Sequence, residues 1–333
     1  MSTLDLFSLP FMQRALLAAF FTGLAAPAVG TYLVQRRLAL MGDGIGHVAV
    51  TGVALGLLTG LSPTWTAIVV AVLGAILIEV IRERGSANGD VALALLFYGG
   101  LAGGVLLTGL GNKSASNLQQ YLFGSITTIS AGDVVVTMVL AVVVIGVGVG
   151  LAPQLFAVAQ EAEFARVAGL RVRLYNLTVA VLAAVSVTVA MRTVGLLLVS
   201  ALMVVPVATS QQVTRSFRTT LAAAMVLGML ASVGGLAISA VVSGVANVAP
   251  GPSIVLLSLA GFVVTWPLGV WLRSRARLRA PFADEPPDEH DVTDHSHAHG
   301  PKCGHMAVPH DDHVDYVHDG HRHAPHGEHY DEH

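Results

Sequence analysis

The run VVVTMVLAVVVIGVGVGLA occupies residues 134–152 and contains no charged side chain. A helix needs about 20 mostly apolar residues to cross the hydrocarbon core of a bilayer, and this run reaches that length. Similar stretches lie near 11–34, 46–61, 64–81, 91–111, 174–191, 194–210, 219–246 and 253–272, with a weak boundary at MRTVG (191–195). Only 12% of the 333 residues are charged, about half the share in a soluble domain. The expected fold is all-α: a polytopic membrane bundle of eight or nine transmembrane helices over residues 1–280. A tail, 281–333, follows it.

Charge separates the two parts. Residues 1–280 hold 16 Lys and Arg against 8 Asp and Glu, whereas 281–333 hold 2 against 13. Within the first part the polar connections alternate. QRR (35–37), RERGSANGD (82–90), QEAEFARVAGLRVR (160–173), QQVTRSFR (211–218) and RSRARLR (273–279) together carry 13 arginines. SPT, GNKSASNLQQ, MRTVG and ANVAPGPS carry only Lys113 and Arg192. Cytoplasmic loops are enriched in Lys and Arg. The arginine-rich set is therefore expected inside, with the N-terminus outside and the tail cytoplasmic. Arg36 and Arg37 follow the first span and no basic segment precedes it, which argues against a cleaved signal peptide. The single cysteine, Cys303, excludes an intrachain disulfide. LAGGVLL (101–107) and SVGGLAIS (232–239) read as helix-packing surfaces, because small residues let membrane helices approach closely. No short repeat stands out.

The stretch MGDGIGHVAV (41–50) places Asp43 and His47 in an apolar setting, and His47 is the only histidine before residue 290. On a helix they stand at i and i+4, on one face. Ionisable groups inside a span are costly and usually face a cavity or a partner. A carboxylate with a neutral imidazole suits divalent zinc, manganese or iron. Two plainer readings compete: a structural Asp–His hydrogen bond, or a helix N-cap at Asp43 with His47 incidental. Gly42, Gly44 and Gly46 each disfavour a helix interior by about 1 kcal/mol relative to Ala, so a partly unwound start is expected.

EAEFARVAGLRVR (161–173) forms a short amphipathic stretch. Phe164, Val167, Ala168 and Leu170 make its apolar face, with Glu161, Glu163 and Arg166 around it. It suits a partner's groove or the lipid surface. In the tail, His295, His297, His299, His305, His310, His313, His318, His321, His323, His326 and His329 lie among Asp and Glu. His-rich tracts bind metal, here in a labile and multi-site manner, and low hydrophobicity favours disorder without it. No G-x-x-x-x-G-K-[ST] loop occurs, so the chain cannot cradle a nucleotide by that device. Energy for uphill transport would come from another subunit.

At this point a resemblance is specific. VQRRLALMGDGIGHVAVTGVALGLL (34–58) resembles the hallmark segment of the ABC-3 family, roughly R-R-x-x-x-x-G-D-A-[IL]-S-H-A-V-L-P-G-V-A. Arg36, Arg37, Gly42, Asp43, His47, Gly52, Val53 and Ala54 match; Gly44, Gly46 and Thr51 stand where the family favours Ala, Ser and Pro. QYLFGSITTISAGDV (120–134), EAEFARVAGLRV and VGLLLVSALMVVPVATS (194–210) resemble further family segments in order.

The resemblance implies a permease subunit of a zinc, manganese or iron ABC importer in the bacterial plasma (inner) membrane, not an enzyme. It implies a homodimer of permeases, cytoplasmic ATPase subunits and an extracytoplasmic metal-binding protein; no nucleic-acid partner is expected. It makes Asp43 and His47 the pathway ligands. Glu161, Glu163, Phe164, Arg166, Ala168, Gly169 and Leu170 become the ATPase-coupling segment. No cofactor is expected to stay bound. The cargo is a divalent metal, zinc first, because imidazole suits zinc and manganese prefers oxygen. Neutral imidazole binds metal, so import should weaken as His47 protonates. The alternatives are a proton-coupled secondary metal transporter and a non-transporting membrane metal sensor.

Overall fold

A computed structural model describes residues 7–84, 89–110, 121–122, 124, 129–193, 195–243, 248–279, 291–293, 303–310, 313–318, 321–326 and 329–332. The chain divides into two units, Met1–Trp271 and Leu272–His333.

The first unit is helical. Its elements are α1 (Pro10–Gln35), α2 (Met41–Thr59), α3 (Pro63–Glu83), α4 (Gly89–Leu110), α5 (Ala131–Gly150), α6 (Ala152–Gln160), α7 (Ala162–Val167), α8 (Val172–Thr193), α9 (Leu196–Val213), α10 (Phe217–Val242) and α11 (Pro250–Arg279). Among the described residues eight helices are long and apolar enough to cross a membrane, and α9 is a shorter apolar helix. The count of eight or nine therefore turns on α9, which Gly195, at φ 91, sets off from α8.

Local chemistry places the breaks. Pro63 opens α3, where its missing N–H is no loss. Ser130 and Asp133 close a capping box on α5. Gly60, at φ 74, ends α2 in the left-handed conformation that glycine adopts without penalty. At the end of α1, Leu38 N–H reaches the Leu33 carbonyl at 2.8 Å and Arg37 N–H that of Val34 at 3.0 Å. This Schellman turn holds Arg37 at φ 57. Buried Leu38 and Leu33 lie at its apolar positions.

Burial sorts the helices into centre and rim. Within the apolar windows of α1 and α2, 72% and 67% of residues are buried, against 17% in α4 and in α11. α1 lies against α10, α5, α8 and α9, while α2 lies against α3 and α4 and touches α8 and α9. The rim helices present Leu95, Val105, Val139, Val143, Val263 and Trp266 outward, as lipid-facing surfaces do. The two glycine pairs act as packing surfaces: Gly103 and Gly104 meet Thr51 and Val50 of α2, and Gly235 meets Ile254 of α11.

In the second unit, five short antiparallel strands follow the last turns of α11. They are β1 (Asp291–Thr293), β2 (Met306–His310), β3 (His313–His318), β4 (His321–His326) and β5 (His329–Glu332), in the order β1-β5-β4-β3-β2. In β3, Asp315 and Tyr316 are both buried, on opposite faces of the strand. His295, His297 and His299 lie outside the described residues.

Candidate functional site

α2 is a regular helix from Met41, so the expected unwinding around Gly42, Gly44 and Gly46 does not occur. Its neighbours explain why. Alanine-sized space at Gly46 is filled by Leu196 of α9, whose Cδ1 would stand 2.3 Å from an added Cβ. At Gly42 the Met203 sulfur occupies that place, at 3.2 Å. These contacts hold the helix against its weak propensity. Gly44 differs, with its nearest neighbour at 3.6 Å, an ordinary contact. Thr51, where the family favours Pro, keeps α2 unbroken and donates from Oγ1 to the Gly100 carbonyl of α4 at 2.6 Å.

Asp43 and His47 share one face of α2, with His47 Nε2 4.0 Å from Asp43 Oδ1. That distance is too long for a hydrogen bond, so the structural Asp–His bond is not formed. The N-cap is Leu40, without a side-chain cap, and Asp43 sits inside the first turn; the N-cap reading fails too. His47 is buried, and its Nδ1 has no hydrogen-bond partner among the described residues. Such orphans are rare in native interiors. The ring packs edge-on against Phe97 of α4, centroids 4.1 Å apart. Asp43 is 30% exposed and opens on a cleft of about 310 Å³ lined by Leu40, Gly44, Leu93, Ala94, Phe97 and Tyr98.

Ser200 of α9 donates from Oγ to Asp43 Oδ1 at 3.4 Å. Sequence reasoning passed over this serine, although it stands inside the apolar VGLLLVSALM run, where a lone hydroxyl was the available signal. For bonds of about 2.1 Å at tetrahedral angles, two ligand atoms stand about 3.4 Å apart. The Asp–His pair is thus slightly open for one ion. Among the described residues no three His, Cys, Asp or Glu groups gather to hold a metal.

A second polar cluster ties α1, α3, α6 and α8 together at the arginine-bearing ends. Buried Glu79 accepts from Arg36 Nη2 at 3.0 Å and from Arg82 Nη1 at 2.8 Å. Burial lowers the Arg36 pKa from its ordinary value, and the Glu79 charge opposes that shift. Arg173 pairs with Glu83 at 2.9 Å, and Gln35 donates to Gln160.

That cluster anchors the start of the 161–173 segment. Glu161 is extended and precedes α7, which ends in a second Schellman turn. There Leu170 N–H bonds the Ala165 carbonyl at 3.0 Å and Gly169 N–H that of Arg166 at 3.1 Å, with Gly169 at φ 83. Leu170 packs inward with Val158, Ala165 and Val172. The expected apolar face is thus corrected: Leu170 seals the turn from within. Phe164 and Val167 project outward, 69% and 87% exposed, beside the Glu163–Arg166 pair and exposed Ala168.

These features define a multi-helix membrane transport component, with an ionisable pair in its most buried layer and a short exposed helix on a loop. Residues 8–268 match the model of the ABC 3 transport family, and the chain belongs to that family. It is 35% identical over 257 residues to the manganese import system permease protein ScaB of Streptococcus parasanguinis, covering 77% of this chain and 90% of the relative. It is 27% identical over 251 residues to the high-affinity zinc uptake system membrane protein ZnuB of Haemophilus influenzae, covering 75% and 95%. The solved structure of PsaBC from Streptococcus pneumoniae in complex with Fab superposes with a TM-score of 0.72 at 30% identity, covering 82% of this chain and 98% of that one. The chain is a transport membrane component and not a catalytic subunit.

Proposed function

We propose that this chain is the membrane-spanning permease of an ABC importer for a divalent transition-metal ion, with Asp43 and His47 as ligands on the ion's path. The observation that carries this reading is the buried His47, its Nδ1 unpartnered, one turn from an Asp43 that opens on a cleft between α2 and α4. Relatives named for manganese and for zinc support the ion class. Zinc is our first assignment, from the donor set: an imidazole with one carboxylate suits zinc better than manganese. Family membership favours ATP-driven import over a proton-coupled carrier or a sensor.

ATP-hydrolysing subunits and an extracytoplasmic binding protein complete the importer. A second copy of the chain brings a second pair, and two Asp with two His supply the four ligands that zinc prefers. Phe164 and Val167 on α7 offer the apolar contact for the ATPase, and the Glu79 cluster carries its movement to the ends of α1 and α3. The arginine-rich loops favour the cytoplasm for that side.

Asp43→Ala and His47→Ala tested singly, in cells expressing the whole importer, should each abolish zinc and manganese uptake while the complex still assembles. Normal uptake by both variants would reject the ligand role. A dimer structure holding the two pairs on separate paths would reject the shared site.

A further inference from the structure

Many hydroxyl groups inside these spans turn back on their own helix. Thr31, Thr108, Thr188, Thr209 and Thr265 each donate to the carbonyl four residues earlier, at 2.7–2.9 Å. Such a bond satisfies a helical hydroxyl without a partner from elsewhere. Ser200 does not make it. Among the described residues its hydroxyl bonds only across the helix boundary, from α9 to Asp43 of α2.

The packing of α9 produces that reach. Leu196, Ser200 and Met203 stand at i, i+4 and i+7, on one face of the helix. Leu196 fills the space beside Gly46, and Met203 fills that beside Gly42. Ser200 comes to rest between them, opposite Asp43. On α1, the Met203 carbonyl occupies the place that a Cβ on Gly30 would take. Three glycines thus let α9 approach α1 and α2 closely, and close packing fixes where the hydroxyl stands.

Asp43 Oδ1 faces two groups, Ser200 Oγ at 3.4 Å and His47 Nε2 at 4.0 Å. A carboxylate that turns freely can offer an ion one oxygen or both. A hydroxyl proton on Oδ1 fixes the carboxylate plane and favours one oxygen over two. Zinc takes four ligands in a tetrahedron, and one oxygen per carboxylate suits that number. Manganese favours an octahedral, oxygen-rich shell, which a freely turning carboxylate serves as well as a fixed one.

We infer that Ser200 is a positioning residue of the ion path: it orients the Asp43 carboxylate toward His47 and thereby favours zinc over manganese. This rests on the reading of Asp43 and His47 as ligands, and adds to it a residue from a second helix.

The test measures uptake against ion concentration, for zinc and for manganese, in cells expressing the whole importer. The chains compared are the parent, Ser200→Ala, Ser200→Thr and Asp43→Ala. Losing a hydrogen-bond partner of a metal ligand lowers affinity about 10–100-fold. Ser200→Ala should therefore raise the zinc concentration for half-maximal uptake about tenfold or more, with the maximal rate changed less. Manganese uptake should shift less, so the preference for zinc falls. Ser200→Thr keeps the hydroxyl and should retain the parent's preference. A purely structural role would lower uptake of both ions in proportion, together with the unfolding temperature in detergent. The assignment is overturned if Ser200→Ala transports both ions as the parent does, if it loses both in equal proportion, or if Ser200→Thr behaves like Ser200→Ala. Asp43→Ala separates the two claims. Normal uptake by that variant rejects Asp43 as a ligand and the role of Ser200 with it. Abolished uptake beside a parent-like Ser200→Ala rejects the role of Ser200 alone.

Discussion

Replacing Gly100 with alanine tests how the candidate site is held. A Cβ on Gly100 would stand 2.6 Å from the His47 carbonyl carbon and 2.6 Å from the Val48 nitrogen. Both are backbone atoms of α2 and cannot rotate away. Carbon contacts settle at about 3.5–4.0 Å, so α4 must withdraw by about 1 Å beside His47. Overpacking of this kind costs about 1–3 kcal/mol, and the Thr51–Gly100 hydrogen bond, worth about 0.5–1.5 kcal/mol, is lost with it. Gly99 provides the control. It lies on the same helix with nothing within 4 Å of an added Cβ. Both substitutions gain about 1 kcal/mol of helix propensity, so their difference isolates the clash, roughly 2–4 kcal/mol. In detergent, Gly99→Ala should unfold at or above the parent's temperature and Gly100→Ala several degrees below it. Uptake by Gly100→Ala should fall about tenfold or more, since a 1 Å displacement of a binding group is felt strongly. Equal unfolding temperatures and equal uptake for the two variants would refute the argument.

Other outcomes follow from the same geometry. Gly44→Ala should leave uptake near the parent's and unfold at or above the parent's temperature, because it gains helix propensity without a clash, whereas Gly46→Ala should lose about 1–3 kcal/mol through its clash with Leu196; thermal unfolding of the two chains checks this. Glu79→Gln leaves Arg36 and Arg82 without their shared carboxylate. It should destabilise the chain by about 3–5 kcal/mol, measured in the same assay. Phe164→Ala with Val167→Ala should weaken co-purification of the ATPase and uptake together, and unfolding should be unchanged because both side chains are exposed.

The departures from the family pattern show how much the local sequence can say. Gly44 and Gly46 look alike in MGDGIGHVAV, and both count against a helix. In the fold they differ, because Leu196, 150 residues downstream, occupies the space beside one and leaves the other open. Thr51 reads as a missing proline until Gly100 appears opposite it. Phe164, Val167 and Leu170 form one stripe by spacing, but the Schellman turn at Gly169 sends Leu170 inward.

The membrane class, the approximate places of the membrane spans and the shared face of Asp43 and His47 follow from the chain alone. They depend on local quantities: apolar length against bilayer thickness, turn residues and the helical period. Ser200 beside Asp43, the cleft against α4 and the Glu79 bridge were decided by the tertiary structure. Each joins residues far apart in sequence, and no local period encodes which distant helix or strand will fill the space at a given side chain.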